Sequence, residues 1–211
     1  MDFQQPVAAL IPGAHGKLLG VLASITGELS IRTLARLAEV SPAQASRVLP
    51  ELERQGFVER RQVPPAALFR LTPGHLATGL LRDFANARQR AIGEIGELAQ
   101  RIDPPAVSVM LFGSFARGTA DAESDIDIML IRPDTVDEDA GPWGASVEDF
   151  RRSIESLSGN SVDLIEVTES RAAEALTTGK SLWQAIAREG ITVCGADVAS
   201  LGVRPRRVQR A

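Results

Sequence analysis

The run Gly113-Ser114-Phe115-Ala116-Arg117-Gly118-Thr119-Ala120-Asp121-Ala122-Glu123-Ser124-Asp125-Ile126-Asp127-Ile128-Met129-Leu130 decides the fold, because it sets a glycine turn just ahead of two carboxylates aimed the same way. Before it lies Val107-Ser108-Val109-Met110-Leu111-Phe112, whose apolar, β-branched character predicts a buried strand stopping at Gly113. Glycine lets the backbone approach a ligand, and a helix opened by Phe115 to Arg117 turns N–H groups, with the Ser114 hydroxyl, toward an anion such as a triphosphate. After it, Asp125 to Ile131 alternates acid with aliphatic and then turns wholly apolar, as a strand leaving a sheet core does. Asp125 and Asp127 then share one face with their backbones roughly 6–7 Å apart, a spacing from which both side chains reach one hard cation, magnesium first. The alternating run Ser161-Val162-Asp163-Leu164-Ile165-Glu166-Val167 puts a third acid, Asp163, on another strand. Three acids on adjacent strands suit in-line nucleotidyl transfer, in which two cations roughly 3.5–4 Å apart stabilise the attacking and leaving oxygens. Asp163 is also a candidate to take the acceptor's proton. The competing reading is an ordinary turn followed by a polar strand start, and an exposed Arg117 serves equally as a phosphate contact or as a solvated surface residue.

Gly113-Ser114, the ten residues after them, Asp125-x-Asp127 and the lone strand aspartate Asp163 together resemble the polymerase-β-like nucleotidyltransferases, most closely their minimal (MNT) branch. The resemblance covers about residues 103 to 195. It implies that Asp125, Asp127 and Asp163 form the catalytic, magnesium-binding set, with two ions, and that Gly113 and Ser114 hold the nucleotide phosphates. Ala116-Arg117-Gly118 and Ser124 also follow the pattern, Ser124 joining the nucleotide-binding set, whereas Phe115 stands where a polar or basic residue is common. The implied reaction moves a nucleoside monophosphate from an NTP, ATP first, to an acceptor hydroxyl and releases pyrophosphate. The branch includes antitoxins that adenylylate a partner toxin, and related enzymes modify small molecules such as aminoglycoside antibiotics. A compact domain favours the protein acceptor, because enclosing a small molecule takes more chain. A nucleotide-sensing transcriptional regulator without turnover is the reading from another class.

The 211 residues, 44% hydrophobic, suffice for two small cores. The start Met1-Asp2-Phe3-Gln4-Gln5-Pro6 lacks the basic character of a signal peptide, and no apolar run is of membrane-spanning length, so a cytoplasmic location is expected. Cys194 is the single cysteine, which excludes an intrachain disulfide and disfavours a cysteine zinc site. Residues 1–102 carry 12 Lys/Arg against 9 Asp/Glu, and residues 103–211 carry 11 against 18. The acidic half thus holds the proposed cation site and the loop Asp134 to Asp139, and the mildly basic half is the one suited to approach nucleic acid.

In that basic half, Ser30 caps Ile31 to Val40, and Ser41-Pro42 starts a helix running to Gly56, which is helix-turn-helix spacing. Phe57 to Val63 and Ala67 to Leu71 read as a two-stranded wing turning at Pro64-Pro65. Residues 14 to 72 thus resemble a winged-helix DNA-binding domain, implying double-stranded DNA as a partner and contacts from Gln44, Ser46, Arg47, Arg54, Arg60 and Arg61. Winged helices also act as protein-interaction modules, and Pro50 inside the third helix predicts a kink that alters the groove-reading face. Gly74 to Ile102 has apolar residues at helical spacing from Leu76 to Leu98 and is expected to be one long linker helix, starting at Thr72-Pro73 and pairing two copies into a homodimer. His15 and His75 receive no role. Pro133 to Ala145 reads as an acidic, turn-rich loop over the site, its Trp143 either stacking on a base or packing on its own domain. Ser146 with Asp149 reads as a capping box opening Val147 to Leu157, Ser170 opens Arg171 to Thr177, and Ile191 to Cys194 is a final strand. The expected class is α/β (α+β): a winged helix-turn-helix at 1–72, a linker or dimerisation helix at 73–102, a nucleotidyltransferase domain with a small mixed sheet covered by helices at 103–200, and a basic, disordered tail at 201–211.

Overall fold

Ser30 and Ser41 start two of the helices that build the N-terminal core, and a computed structural model shows how the rest of the chain follows. It describes residues 1–138, 141–178 and 181–201. The chain divides into two compact units, Asp2–Arg88 and Gln89–Ala211, the second including Met1.

The first unit runs α1 (Pro6–Leu10), α2 (Ala14–Ala23), β1 (Leu29–Ser30), α3 (Ile31–Leu37), α4 (Pro42–Arg54), β2 (Val58–Val63), β3 (Ala66–Leu71) and α5 (Leu76–Ala85). Its three strands form an antiparallel sheet in the order β1-β3-β2. The Ser30 hydroxyl accepts from the Thr33 N–H at 3.3 Å, and Ser41 and Gln44 close a reciprocal capping box at 3.1 and 3.0 Å. The apolar stripe of α4, Ala45, Val48, Leu49 and Leu52, is buried against Leu18, Leu22, Leu34, Phe69 and Leu71. The helix α4 continues through Pro50, which faces solvent, so the carbonyl it leaves without a helical donor sits on the wet side.

The expected single linker helix is two helices. It breaks at Asn86, whose backbone N–H and side-chain amide both donate to the Arg82 carbonyl, ending α5 before α6 (Ala87–Ala99) begins. Phe84 packs in the first unit's core, whereas Ala91 and Ile95 are buried in the second unit, so the apolar repeat serves two cores. The cap of α5 is His75, not Thr72-Pro73: its Nδ1 accepts from the Ala77 N–H at 3.2 Å, and its ring meets Phe57 edge-on with centroids 5.0 Å apart. His15 also has a partner, Glu51, at 3.2 Å.

The second unit continues from α6 with β4 (Ser108–Phe112), α7 (Gly113–Arg117), β5 (Ile126–Arg132), α8 (Gly141–Ser158), β6 (Val162–Thr168), α9 (Glu169–Thr178), α10 (Ser181–Glu189), β7 (Ile191–Gly195) and α11 (Val198–Leu201). The mixed sheet has the order β6-β5-β4-β7, with β4 antiparallel to both neighbours and β5 parallel to β6 across the α8 connection. Met110, Met129 and Ile131 bury one face of the sheet against Ala172, Trp183, Ile186 and Leu201. Ile126, Ile128 and Leu130 alternate to the other face and are equally buried. Gly96 lets α6 approach β7: a Cβ there would lie 2.9 Å from the Val193 carbonyl oxygen.

The stretch before α8 differs from the expected loop. The helix already starts at Gly141, and Trp143 is buried, donating from Nε1 to Glu166 Oε1 at 3.0 Å, so packing on its own domain, not stacking on a base, is its role. Ser146 lies inside α8 and accepts from the Asp103 N–H at 3.0 Å instead of capping the helix. Asp134 reaches across to α9, accepting from the Ser170 N–H and hydroxyl at 3.1 and 3.0 Å. Asp139 of the acidic loop and the tail from 202 to 211 lie outside the described residues.

Candidate active site

Strand periodicity brings the acids together. Phe112 of β4, Asp127 of β5 and Asp163 of β6 stand in one row across the sheet, and Asp125 precedes Asp127 by two residues on the same side. Gly113 follows Phe112 with φ +67°, and a Cβ there would lie 1.9 Å from Asp127 Oδ2, so only glycine gives both the backbone angle and the room. The Ser114 N–H is near enough to the Asp127 carboxylate to favour its charged form. Phe115, unusual by resemblance, is fully buried and anchors the turn into the core. The turn ends at Gly118 in the left-handed conformation, φ +77°.

Burial raises the Asp127 carboxyl above the ordinary range, and the negative charges of Asp163 and then Asp125 raise it further; Arg117 and the Ser114 N–H oppose them. Each acid of the trio is therefore within electrostatic reach of Asp127. Three carboxylates offer only oxygen donors, the chemistry magnesium takes, and their repulsion is what a divalent cation relieves. As their side chains stand, no three of the described acidic, histidine or cysteine residues are gathered closely enough to hold a metal ion, and the Asp127 carboxylate lies against Gly113.

Three neighbours escape sequence reading. Glu189, at the end of α10, holds Arg117 at 3.4 Å and orients the guanidinium that acts on Asp127. Asn160, in the turn between α8 and β6, donates from Nδ2 to the backbone carbonyls of Ser124 (2.9 Å) and Asp121 (3.3 Å). Glu166 accepts from Arg132 Nε at 2.5 Å as well as from Trp143. Only Asn160 had a local signal, its place in the turn-forming run Ser158-Gly159-Asn160. Ser124, expected at the nucleotide, closes its own turn: its hydroxyl donates to Asp121 Oδ1 at 2.7 Å and accepts from the Asp121 N–H at 3.1 Å. That bond, followed by the Glu123 N–H, holds the Asp121 carboxyl below its usual range.

On the winged helix, Ser46, Arg47, Arg54 and Arg60 are exposed, as is Gln44 despite its capping bond. Arg61 differs: its guanidinium is engaged by Glu28 in a two-pronged ion pair, which also involves Arg70 at 3.8 Å, so it offers less free charge to a phosphate than its sequence suggests.

Residues 92–179 match the nucleotidyltransferase domain family, and residues 11–67 match the MarR family. The protein adenylyltransferase MntA of Shewanella oneidensis is 31% identical over 83 residues, which are 38% of this chain and 55% of that protein. The chain thus spans about half the length of this curated relative. Among solved structures, a toxin-antitoxin with AMP-PNP is similar with 22% identity, covering 53% of this chain and 81% of that one at a TM-score of 0.37. A mutant of the toxin-antitoxin MntA-HpeT is similar with 20% identity, the same coverages and the same TM-score. The second unit carries a nucleotidyltransferase domain and the first a MarR-like winged helix.

Proposed function

We propose that this nucleotidyltransferase moves AMP from ATP to a hydroxyl group of a partner protein, with magnesium, and that its winged helix binds double-stranded DNA. The observation that carries the reading is the row of Asp127 and Asp163 on adjacent strands beside the Gly113-Ser114 turn, with Asp125 two residues before Asp127 and its charge felt there. Asp125, Asp127 and Asp163 would hold the magnesium ions, which supply charge neutralisation of the phosphates. Gly113 lets the Asp127 carboxylate come against the turn, Gly113 and Ser114 would hold the phosphates, and Arg117, steadied by Glu189, balances negative charge at the same end of the sheet. Asp163 takes the proton of the acceptor hydroxyl as its oxygen attacks the α-phosphorus, and pyrophosphate leaves. The name of the Shewanella relative, a protein adenylyltransferase, supports ATP and a protein acceptor such as a cognate toxin.

For DNA, the reading rests on the exposed Ser46, Arg47, Arg54 and Arg60 of α4 and β2, with Gln44 at the helix start. A homodimer, the arrangement that reads two half-sites, fits Leu76 and Leu80, exposed one turn apart on α5. A cytoplasmic location completes the reading; among the described residues no helix is long and apolar enough to cross a membrane. The test is label transfer from each of the four NTPs, with magnesium, to protein in a lysate of the source organism. Label on a protein, lost with Asp127→Asn, is expected. Magnesium-dependent ATP binding with no transfer would replace this reading by a nucleotide-sensing regulator, and label on a small molecule would move the acceptor to the antibiotic class.

A further inference from the structure

We propose that Asn160 is a positioning residue of the transfer site, fixing the backbone that presents Asp125 against the strand that presents Asp163. The proposal rests on the reading of the site given above. Asp125 ends a segment, Gly118 to Asp125, in which Ala120 is the one buried side chain, so the segment has little core of its own to hold it. Its turn, closed by Ser124 on Asp121, is tied to the rest of the unit by the Asn160 amide, whose two N–H groups go to the carbonyls at the two ends of that turn. The Ser124 carbonyl belongs to the residue directly before Asp125. Asn160 lies three residues before Asp163, so a single side chain spans the approaches to both acid-bearing strands.

The amide is itself held. Asn160 is 4% exposed, its Oδ1 accepts from the amino group of Met1 in the same unit at 2.5 Å, and its N–H donates to Ser158 Oγ at 3.1 Å. Ser158 in turn donates to the Ile154 carbonyl at 2.8 Å, anchoring the turn in the last coil of α8. Next to it, the Ile126 N–H donates to the Ser161 carbonyl at 2.9 Å and starts the β5–β6 ladder. Removing the amide leaves that ladder bond as the nearest remaining tie and frees the segment just before it. Misplacement of a reacting group by about 1 Å costs about 100-fold in rate, and a loosened Asp125 falls in that range.

Asn160→Asp keeps the shape but turns an anion toward two carbonyl oxygens; Asn160→Ala removes the group. In the full chain, both are expected to lower kcat for label transfer about ten- to hundredfold while KM for the NTP moves less than about threefold, because Gly113 and Ser114 open α7 at the end of β4, away from the Asn160 turn. Amide hydrogen exchange is expected to quicken at residues 121–126 and to stay unchanged at Met110 and Leu111 of β4. Wild-type kcat in either variant, or exchange quickened equally in β4, would overturn the proposal. Asp127→Asn is measured in parallel: if it is inactive while the Asn160 variants are normal, only the positioning role falls, and if it stays active the transfer reading falls while the exchange data still judge Asn160. Should both variants fail to fold, Asn160→Ser, which keeps one donor, is the variant to measure; an intermediate kcat supports the role and a wild-type kcat overturns it.

Discussion

Asp127 stands between two demands. Burial and the charges of Asp163 and Asp125 raise its carboxyl, so the folded chain holds that proton more tightly than the unfolded chain. Stability from this group is therefore greatest at low pH, begins to fall as pH rises through the unfolded value of about 3.9, and has fallen fully above the raised folded value. An amide in place of this carboxylate is a neutral acceptor for the same Ser114 N–H, so Asp127→Asn is expected to melt at a higher temperature than wild type at pH 7.5. The gap should narrow as pH falls through the raised folded value and close at about pH 3, below the unfolded value, where the acid is protonated in both states; thermal melts at pH 7.5 and pH 3 check this. A variant less stable than wild type at neutral pH would mean that the native carboxylate is not under strain. The places of Asp127 and Gly113 were legible in the sequence because they follow from strand period and chain angle. Asn160 and Glu189 were not, since what selects them is a partner 36 residues away at Ser124 in one case and 72 residues away at Arg117 in the other.

Among the elements, β4, β5 and β6 were read correctly because alternation and apolar runs are local signals, whereas the helices misled wherever tertiary contacts set their limits. The stripe from Leu76 to Leu98 kept helical period across a break that only the Asn86 amide creates, and Gly141 opens α8 although its neighbours read as turn formers. Trp143 explains the latter: with Arg132 it converges on Glu166, so α8, β5 and β6 are joined by one carboxylate. Arg132 is 8% exposed and, without Glu166, would keep Glu138 at 3.7 Å and the Val136 carbonyl, so what is lost is a charged hydrogen bond, worth about 1.5–3 kcal/mol, not the whole pairing. Glu166→Ala is accordingly expected to lower the unfolding free energy of the second unit by about 2 kcal/mol. Urea titration followed by tryptophan fluorescence measures it without interference, because the two tryptophans, Trp143 and Trp183, both lie in that unit. An unchanged midpoint would show that the carboxylate carries no structural role.

At the scale of the molecule, the uneven charge seen in the sequence maps onto two units with separate cores. If the basic unit binds DNA, Arg47→Ala with Arg54→Ala should weaken binding of a duplex of random sequence and reduce the slope of log K against log salt by about 2, one for each lost phosphate contact. Fluorescence anisotropy across a salt series measures both, and an unaltered slope would remove these arginines from the interface. The parallel pairing of β5 with β6 has a further consequence, one of time. Asp125 and Asp127 leave the ribosome well before Asp163, and the third acid meets its row only after α8 has crossed over and β6 has docked in register. On the proposed reading, a nascent chain that stops before β6 carries the whole Gly-Ser and Asp-x-Asp signature yet lacks the third acid, and transfer would begin only once the sheet is complete.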